Sequence, residues 1–220
     1  MNCPNCLRLA AQSVAAATPG GTGAIHHAAV NFLEPGQRAL TSRYFWGPYA
    51  VITRHAGRDV DTHRMFRDDG HFDLDALSAG IDRHIEQQGR VLLLLNFPCH
   101  NPTGYSLDES EWAAVAEMVR AAGERAPVAT LLDCAYISFE DPASDQWMDA
   151  TRTMLETGTV LIAWTASKSF AQYGARIGAV VALHRDPAER ERLTNALAYS
   201  CRATWSNCNH LGQLAITDVL

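Results

Sequence analysis

Lysine is nearly absent from this sequence. Among 18 basic side chains there is one, Lys168, and every other is an arginine. Basic excess is absent as well. The formal net charge is −6 and no run of Lys or Arg interrupts it, which argues against a nucleic-acid-binding surface. Long apolar stretches are also missing. The longest candidate, Val91 to Leu95, has the length of a strand and falls far short of the roughly 20 residues a membrane helix needs. The N-terminal segment lacks the pattern of a secretion signal, because Arg8, Gln12 and Ser13 break its apolar stretch and no basic segment precedes it. A cytoplasmic protein without membrane partners is therefore expected. Repeats, low-complexity tracts and linkers are absent too, so the 220 residues, 47% of them hydrophobic, are expected to build one domain around a real core.

Cysteine is not scarce, but its arrangement says little. Cys3-Pro4-Asn5-Cys6 has zinc or redox spacing, and Cys208 with His210 could form the other half of a site. No second pair stands at a recognised spacing and no thioredoxin-like strand precedes the motif. Reduced thiols in a cytosolic protein, with no metal site, are the simpler expectation.

Strand-like and helix-like segments alternate along the chain. Strands are expected at Arg38 to Tyr44, Asp59 to Phe66, Val91 to Asn96, Val128 to Leu132, Thr159 to Trp164 and Ile177 to Leu183. Helices are expected around Ala50 and over Asp73 to Gln88, where Leu74, Leu77, Ile81 and Ile85 recur at helical spacing. Further helices are expected over Leu107 to Arg125, Gln146 to Glu156 and Pro187 to Tyr199. The third helix opens with Ser106-Leu107-Asp108-Glu109, a capping-box pattern. This alternation predicts an α/β fold, a three-layer αβα arrangement around a mostly parallel sheet. In such sheets ligands sit at the carboxyl ends of the strands. Asn96 to Gly104, Asp133 to Tyr136 and Thr165 to Lys168 fall there.

Three places in the sequence carry chemistry. Pro19-Gly20-Gly21-Thr22-Gly23-Ala24 leads into a helix expected over Ile25 to Phe32. A glycine turn at a helix N-terminus offers free N–H groups to an anion such as phosphate, although many glycine turns only turn. Thr165-Ala166-Ser167-Lys168 follows an apolar strand. Partial desolvation there lets a lysine lose its proton more readily, which suits Schiff-base chemistry with carbonyl compounds; the alternative is a surface loop lysine. Asp133 closes another apolar strand and needs a cationic or hydrogen-bonding partner to offset desolvation. A protonated pyridine nitrogen would serve, with Tyr136 in reach of the same ring; a turn-capping aspartate is the alternative.

Together these pieces resemble one family. Gly20-Gly21-Thr22-Gly23-Ala24, Trp46-Gly47, Asn101-Pro102-Thr103-Gly104, Asp133-Cys134-Ala135-Tyr136, Ser167-Lys168, Arg176-Ile177-Gly178 and Arg202-Ala203-Thr204-Trp205-Ser206-Asn207 occur in the order and approximate spacing of class I aminotransferases of the aspartate and aromatic type. These are fold-type-I enzymes that use pyridoxal 5′-phosphate (PLP). The resemblance spans nearly the whole chain. It implies that Lys168 forms a Schiff base with the cofactor and later shuttles the substrate Cα proton. It implies that Asp133 pairs with the pyridinium nitrogen, and that Tyr136 and Asn101 bond the phenolic oxygen. Trp46 would stack on the ring, and Gly21, Thr22, Thr165 and Arg176 would hold the phosphate. Lys168, Tyr136 and Asp133 thus stand as catalytic, and Trp46, Asn101 and Arg202 face the substrate amino acid or 2-oxo acid. Arg202 and Ser206 match residues that the family lends to a neighbouring subunit, which implies a homodimer with shared sites.

The sequence also departs from the family pattern. Family chains are longer at both ends, with an N-terminal arm, a partner-donated tyrosine and a small domain carrying the arginine that binds the substrate α-carboxylate. Cys208-Asn209 stands where relatives carry a proline pair. The chain is thus expected to be the central part of a large PLP-binding domain and, as given, an inactive fragment. Rival expectations are another fold-type-I PLP enzyme (a carbon–sulfur lyase or decarboxylase), the PLP-binding effector domain of a transcription regulator, or a remnant without catalysis. Aspartate and aromatic substrates are both left open.

Overall fold

Residues 9–140 and 146–219 are described by a computed structural model; Cys3 and Cys6 lie outside them. Seven strands form one sheet: β1 (Ser13–Pro19), β2 (Arg38–Ser42), β3 (Asp59–His63), β4 (Val91–Leu95), β5 (Val128–Asp133), β6 (Thr159–Thr165) and β7 (Ile177–Leu183). Their order across the sheet is β1-β7-β6-β5-β4-β2-β3. β7 runs antiparallel to β1 and β6, and the remaining pairs are parallel. The helices are α1 (Gly20–Phe32), α2 (Pro48–His55), α3 (Leu74–Gln88), α4 (Glu109–Gly123), α5 (Gln146–Met154), α6 (Ala166–Ser169), α7 (Pro187–Thr204) and α8 (His210–Val219). The α/β class and the mostly parallel sheet expected from sequence are what the structure has.

Strand β4 shows why the layers form. All five of its residues are aliphatic and buried, as a strand covered on both faces requires. Its side chains alternate between two cores. Leu93 and Leu95 pack with Leu77 and Ile81 of α3 and with Trp112, Val115 and Val119 of α4. Leu92 and Leu94 pack on the other side with Ala24, Ile25 and Ala28 of α1 and Leu197 of α7.

Several boundaries differ from the sequence expectation, each for a local reason. β1 was not anticipated, because Ala15, Ala16 and Ala17 are weak strand formers. Pairing along β7, from Ser13 opposite Leu183 to Pro19 opposite Ile177, decides it. α8 was not anticipated either, and none of its residues is buried. β2 ends at Ser42 and β3 at His63, short of Tyr44 and Phe66, while α7 runs on to Thr204. The glycine run is the first turn of α1 itself and does not precede it. The capping box at α4 is built by Asp108 and Glu111, not from Ser106. Asp108 accepts from the Glu111 N–H at 2.8 Å and Glu111 accepts from the Asp108 N–H at 3.1 Å. Ser106 instead donates to Glu140 at 2.6 Å.

The topology brings one edge of the sheet into register. Thr165 at the end of β6 pairs with Gly178 near the start of β7, and Pro19 at the end of β1 pairs with Ile177. A Cβ on Gly178 would lie 2.5 Å from the Gly20 carbonyl carbon, a distance no side chain tolerates without backbone movement. Gly178→Ala is therefore expected to destabilise the fold by about 1–3 kcal/mol, the usual range for overpacking. Urea unfolding checks this, and an unchanged midpoint would mean that the β1–α1 turn moves aside freely.

Candidate active site

The carboxyl ends of β1, β5 and β6 and the entry to β7 surround a cleft. Gly21, Thr22, Trp46, Asn101, Asp133, Tyr136, Thr165, Lys168 and Arg176 all line it. Every residue that the family resemblance assigned to the cofactor is therefore in one place. Arg202 is not. It is exposed in the last turn of α7, where it donates to Ser206 four residues on. Asn96, Ser167 and Tyr173 also line the cleft, and sequence reasoning gave none of them a role.

One end of the cleft is built for an anion. α1 begins at Gly20 with no side-chain cap and no acidic residue in its first turn, so its N–H groups and positive dipole end face the opening. The Arg176 guanidinium closes over this end. It donates to the Pro19 carbonyl at 3.1 Å, the Tyr173 carbonyl at 2.9 Å, Ser167 Oγ at 3.3 Å and Thr22 Oγ1 at 3.5 Å. Gly20 makes this approach possible. Its φ is +71°, a conformation that favours glycine, and a Cβ there would sit 2.3 Å from Arg176 Nη2 and push the guanidinium aside. Thr165 caps the short α6, accepting from the Ser167 N–H at 3.2 Å.

The other end holds a carboxylate. Asp133 is 4% exposed, and burial pushes its pKa up to about 6, although the Tyr49 hydroxyl and the Ala135 N–H pull it back down in part. Tyr49 donates to Asp133 Oδ2 at 2.6 Å. Asn96, just past β4, donates to the Asp133 carbonyl at 2.9 Å and accepts from the Asn101 N–H at 2.7 Å. This pair of bonds ties the Asn101-Pro102-Thr103-Gly104 loop to the end of β5. Asn101 Nδ2 in turn points to the Tyr136 hydroxyl at 3.4 Å.

Lys168 stands on α6 between these ends. Its Nζ donates to the Tyr173 hydroxyl at 3.2 Å and lies 4.4 Å from the Tyr173 ring centroid and 5.5 Å from that of Tyr136. The sequence expectation of an easily lost proton is corrected here. Partial burial acts to lower the Lys168 pKa, but the hydroxyls of Tyr173 and Tyr136 hold the ammonium, and the net shift is upward.

Tyr49 is a further residue that sequence reasoning missed, with Asn96, Ser167 and Tyr173. The available signals were weak: Tyr49 follows Trp46 by three positions and Tyr173 follows Lys168 by five. Elsewhere, one group of described residues has metal-binding spacing, His71 with Asp108 and Glu111. The Glu111 oxygens already accept from Tyr105, the Phe72 N–H and the Asp108 N–H. Among the described residues no helix is long and apolar enough to cross a membrane.

Comparison with known proteins agrees with this geometry. The family model described as aminotransferase class I and II matches residues 4–219. An aromatic-amino-acid aminotransferase from Pseudomonas aeruginosa is 33% identical over 218 residues, covering 97% of this chain and 52% of the relative. The crystal structure of an aminotransferase from Anaerococcus prevotii superposes with a TM-score of 0.85 at 33% identity, covering 94% of this chain and 52% of the other. An aromatic-amino-acid aminotransferase from Burkholderia pseudomallei, covalently bound to pyridoxal phosphate, superposes with a TM-score of 0.76 at 26% identity, covering 94% and 50%. The chain thus spans about half the length of the relatives it matches. It belongs to the class I and II aminotransferase family.

Proposed function

We propose that this chain is the central part of the large domain of a PLP-dependent aminotransferase, which moves an amino group between an amino acid of aspartate or aromatic type and a 2-oxo acid. The observation that carries the proposal is the polarity of the cleft: an uncapped helix end with Arg176 at one side, a buried carboxylate at the other, and the chain's sole lysine between them. The residues fit the cofactor on three counts. Gly20 lets the Arg176 guanidinium lie against the start of α1, at the anion end of the cleft. Asp133 is a buried carboxylate that faces no positive side chain among its bonded partners, as a site for a pyridinium requires. Trp46 supplies an aromatic side chain to the lining of the same cleft.

When bound, PLP supplies an aldehyde that captures amines and a protonated ring that accepts electrons from the substrate. The protein's own groups do the rest. Gly21, Thr22, Thr165 and Arg176 bind the phosphate through backbone N–H groups, hydroxyls and a planar guanidinium. Asp133 holds the proton on the ring nitrogen. Trp46 covers the ring face, and Tyr136 with Asn101 bonds the phenolic oxygen. Lys168 would hold the cofactor's aldehyde end through Nζ, and the same amine would serve as the base and acid that moves the substrate Cα proton. The four described free cysteines support a reducing, cytoplasmic setting.

Borohydride reduction of the chain with PLP is expected to place a pyridoxyl group on Lys168, located by peptide mapping. Because the raised Lys168 pKa leaves little free amine at neutrality, the labelling rate should climb about tenfold per pH unit between roughly pH 7 and 9. A label confined to the N-terminal amine would sink the assignment.

In a protein extended to the full length of its relatives, Asp133→Ala is expected to cost about 100-fold or more in turnover and Asp133→Glu far less, since only Glu retains the charge that holds the ring proton. Steady-state kinetics decides, and equal losses would show that the charge is not what matters.

The placement of Arg202 away from its own cleft supports a two-fold dimer in which each chain lends this arginine to the other. Mixing Lys168→Ala with Arg202→Ala chains of full length should build hybrid dimers with one intact site. Activity towards a dicarboxylic amino acid should then exceed that of either variant alone. Proven subunit exchange without recovery would place Arg202 within its own chain or away from substrate.

A further inference from the structure

We infer that Tyr49 is a positioning residue for the cofactor ring, acting through Asp133 to fix the carboxylate that meets the ring nitrogen. The inference rests on the PLP reading above and deepens it.

Tyr49 is completely buried, and it heads the largest fully buried side chains of the described core, the others being apolar. A buried phenol needs a partner for its O–H. Its one bonded partner is Asp133 Oδ2, at 2.6 Å, a short, charge-assisted distance. The carboxylate has about four lone-pair sites. Tyr49 takes one on Oδ2 and so fixes the side-chain torsion, while Asp133 still borders the cleft. The ring of Tyr49 has little freedom to leave. It stacks on Phe45 at 6.3 Å with 9° between planes, and meets the edge of Trp46 at 5.7 Å and 88°.

The same short segment therefore acts twice on one ligand. Trp46 stands at the mouth of α2 and Tyr49 lies in its first turn, joined by the Tyr49 N–H bond to the Trp46 carbonyl at 2.9 Å. Trp46 addresses the ring face, and Tyr49 sets the charge that addresses the ring nitrogen. Without the Tyr49 hydroxyl, the buried carboxylate keeps only the Ala135 N–H against its desolvation, and it would sooner take the ring proton than leave it on nitrogen. Burial and the neighbouring Asp133 charge hold the Tyr49 proton on its oxygen, so the phenol stays a donor.

A double-mutant cycle on the 220-residue chain tests this, with the PLP dissociation constant as readout. Tyr49→Phe keeps the ring and its packing and removes only the hydroxyl. It is expected to weaken PLP about tenfold, the size of one hydrogen bond to a charged group. In an Asp133→Asn background the same substitution should change affinity less than about twofold, because the group it acts through is gone. The ¹⁵N resonance of ring-labelled PLP should move from the protonated towards the neutral range in Tyr49→Phe. A purely structural role would weaken binding equally in both backgrounds and leave the ¹⁵N position unchanged, which overturns the inference. Wild-type binding with an unaffected Tyr49→Phe overturns it as well while sparing the cofactor reading. No PLP binding by the wild-type chain removes both.

Discussion

The ionised carboxylate of Asp133, sealed at the end of a central strand, sets the terms for the rest of the cleft. Moving such a group out of water costs on the order of several kcal/mol, and β5 holds it there because Val128 to Leu132 before it are buried on both faces. Three responses to that cost are visible. Tyr49 donates to it, the Ala135 N–H donates to it, and its pKa still rises to about 6. The remaining demand for positive charge is directed into the opening. A ligand carrying a protonated nitrogen meets that demand, and a neutral one does not.

The positive end has a different origin. Nothing there is a buried side-chain charge. It consists of backbone N–H groups at the start of α1 and a guanidinium that is largely exposed. The antiparallel course of β7 matters here. Because β7 runs against its neighbours, Arg176 before its first residue lies at the same edge as the carboxyl ends of β1 and β6. A parallel β7 would carry that residue to the far side of the sheet. Gly178 and Gly20 then allow the two backbones and the guanidinium to close up.

Much of this was legible in the sequence because it depends on periodicity and on strand ends. The aliphatic run Val91 to Leu95 and the spacing in α3 give the layers, and Asp133 and Lys168 are marked by the apolar strands that precede them. What was not legible depends on contacts distant in sequence. The alanines of β1 become a strand only through β7. Tyr49 acquires meaning only because its hydroxyl reaches Asp133 at the end of β5, 84 positions away in sequence. The direction of the Lys168 shift was misjudged for a related reason. Partial burial does act as expected, but two tyrosine hydroxyls act against it and prevail, and Tyr173 is one that local sequence gave no cause to place there.

The three charged groups also discriminate among ligands by their order. An anion at the α1 end, an aldehyde at Lys168 and a basic nitrogen at Asp133 must occur on one rigid molecule to satisfy all three at once. A simple phosphate would occupy only the Arg176 end and leave the buried carboxylate without a cation. A simple amine would meet Asp133 and leave the helix N-terminus empty. Each partial match forgoes the interactions at the other end, and because the ends are held by separate strands they cannot move together to compensate. On the proposed reading, the rigidity of the sheet is thus what turns three individually common features, a helix end, a lysine and an aspartate, into a site matched to one class of ligand.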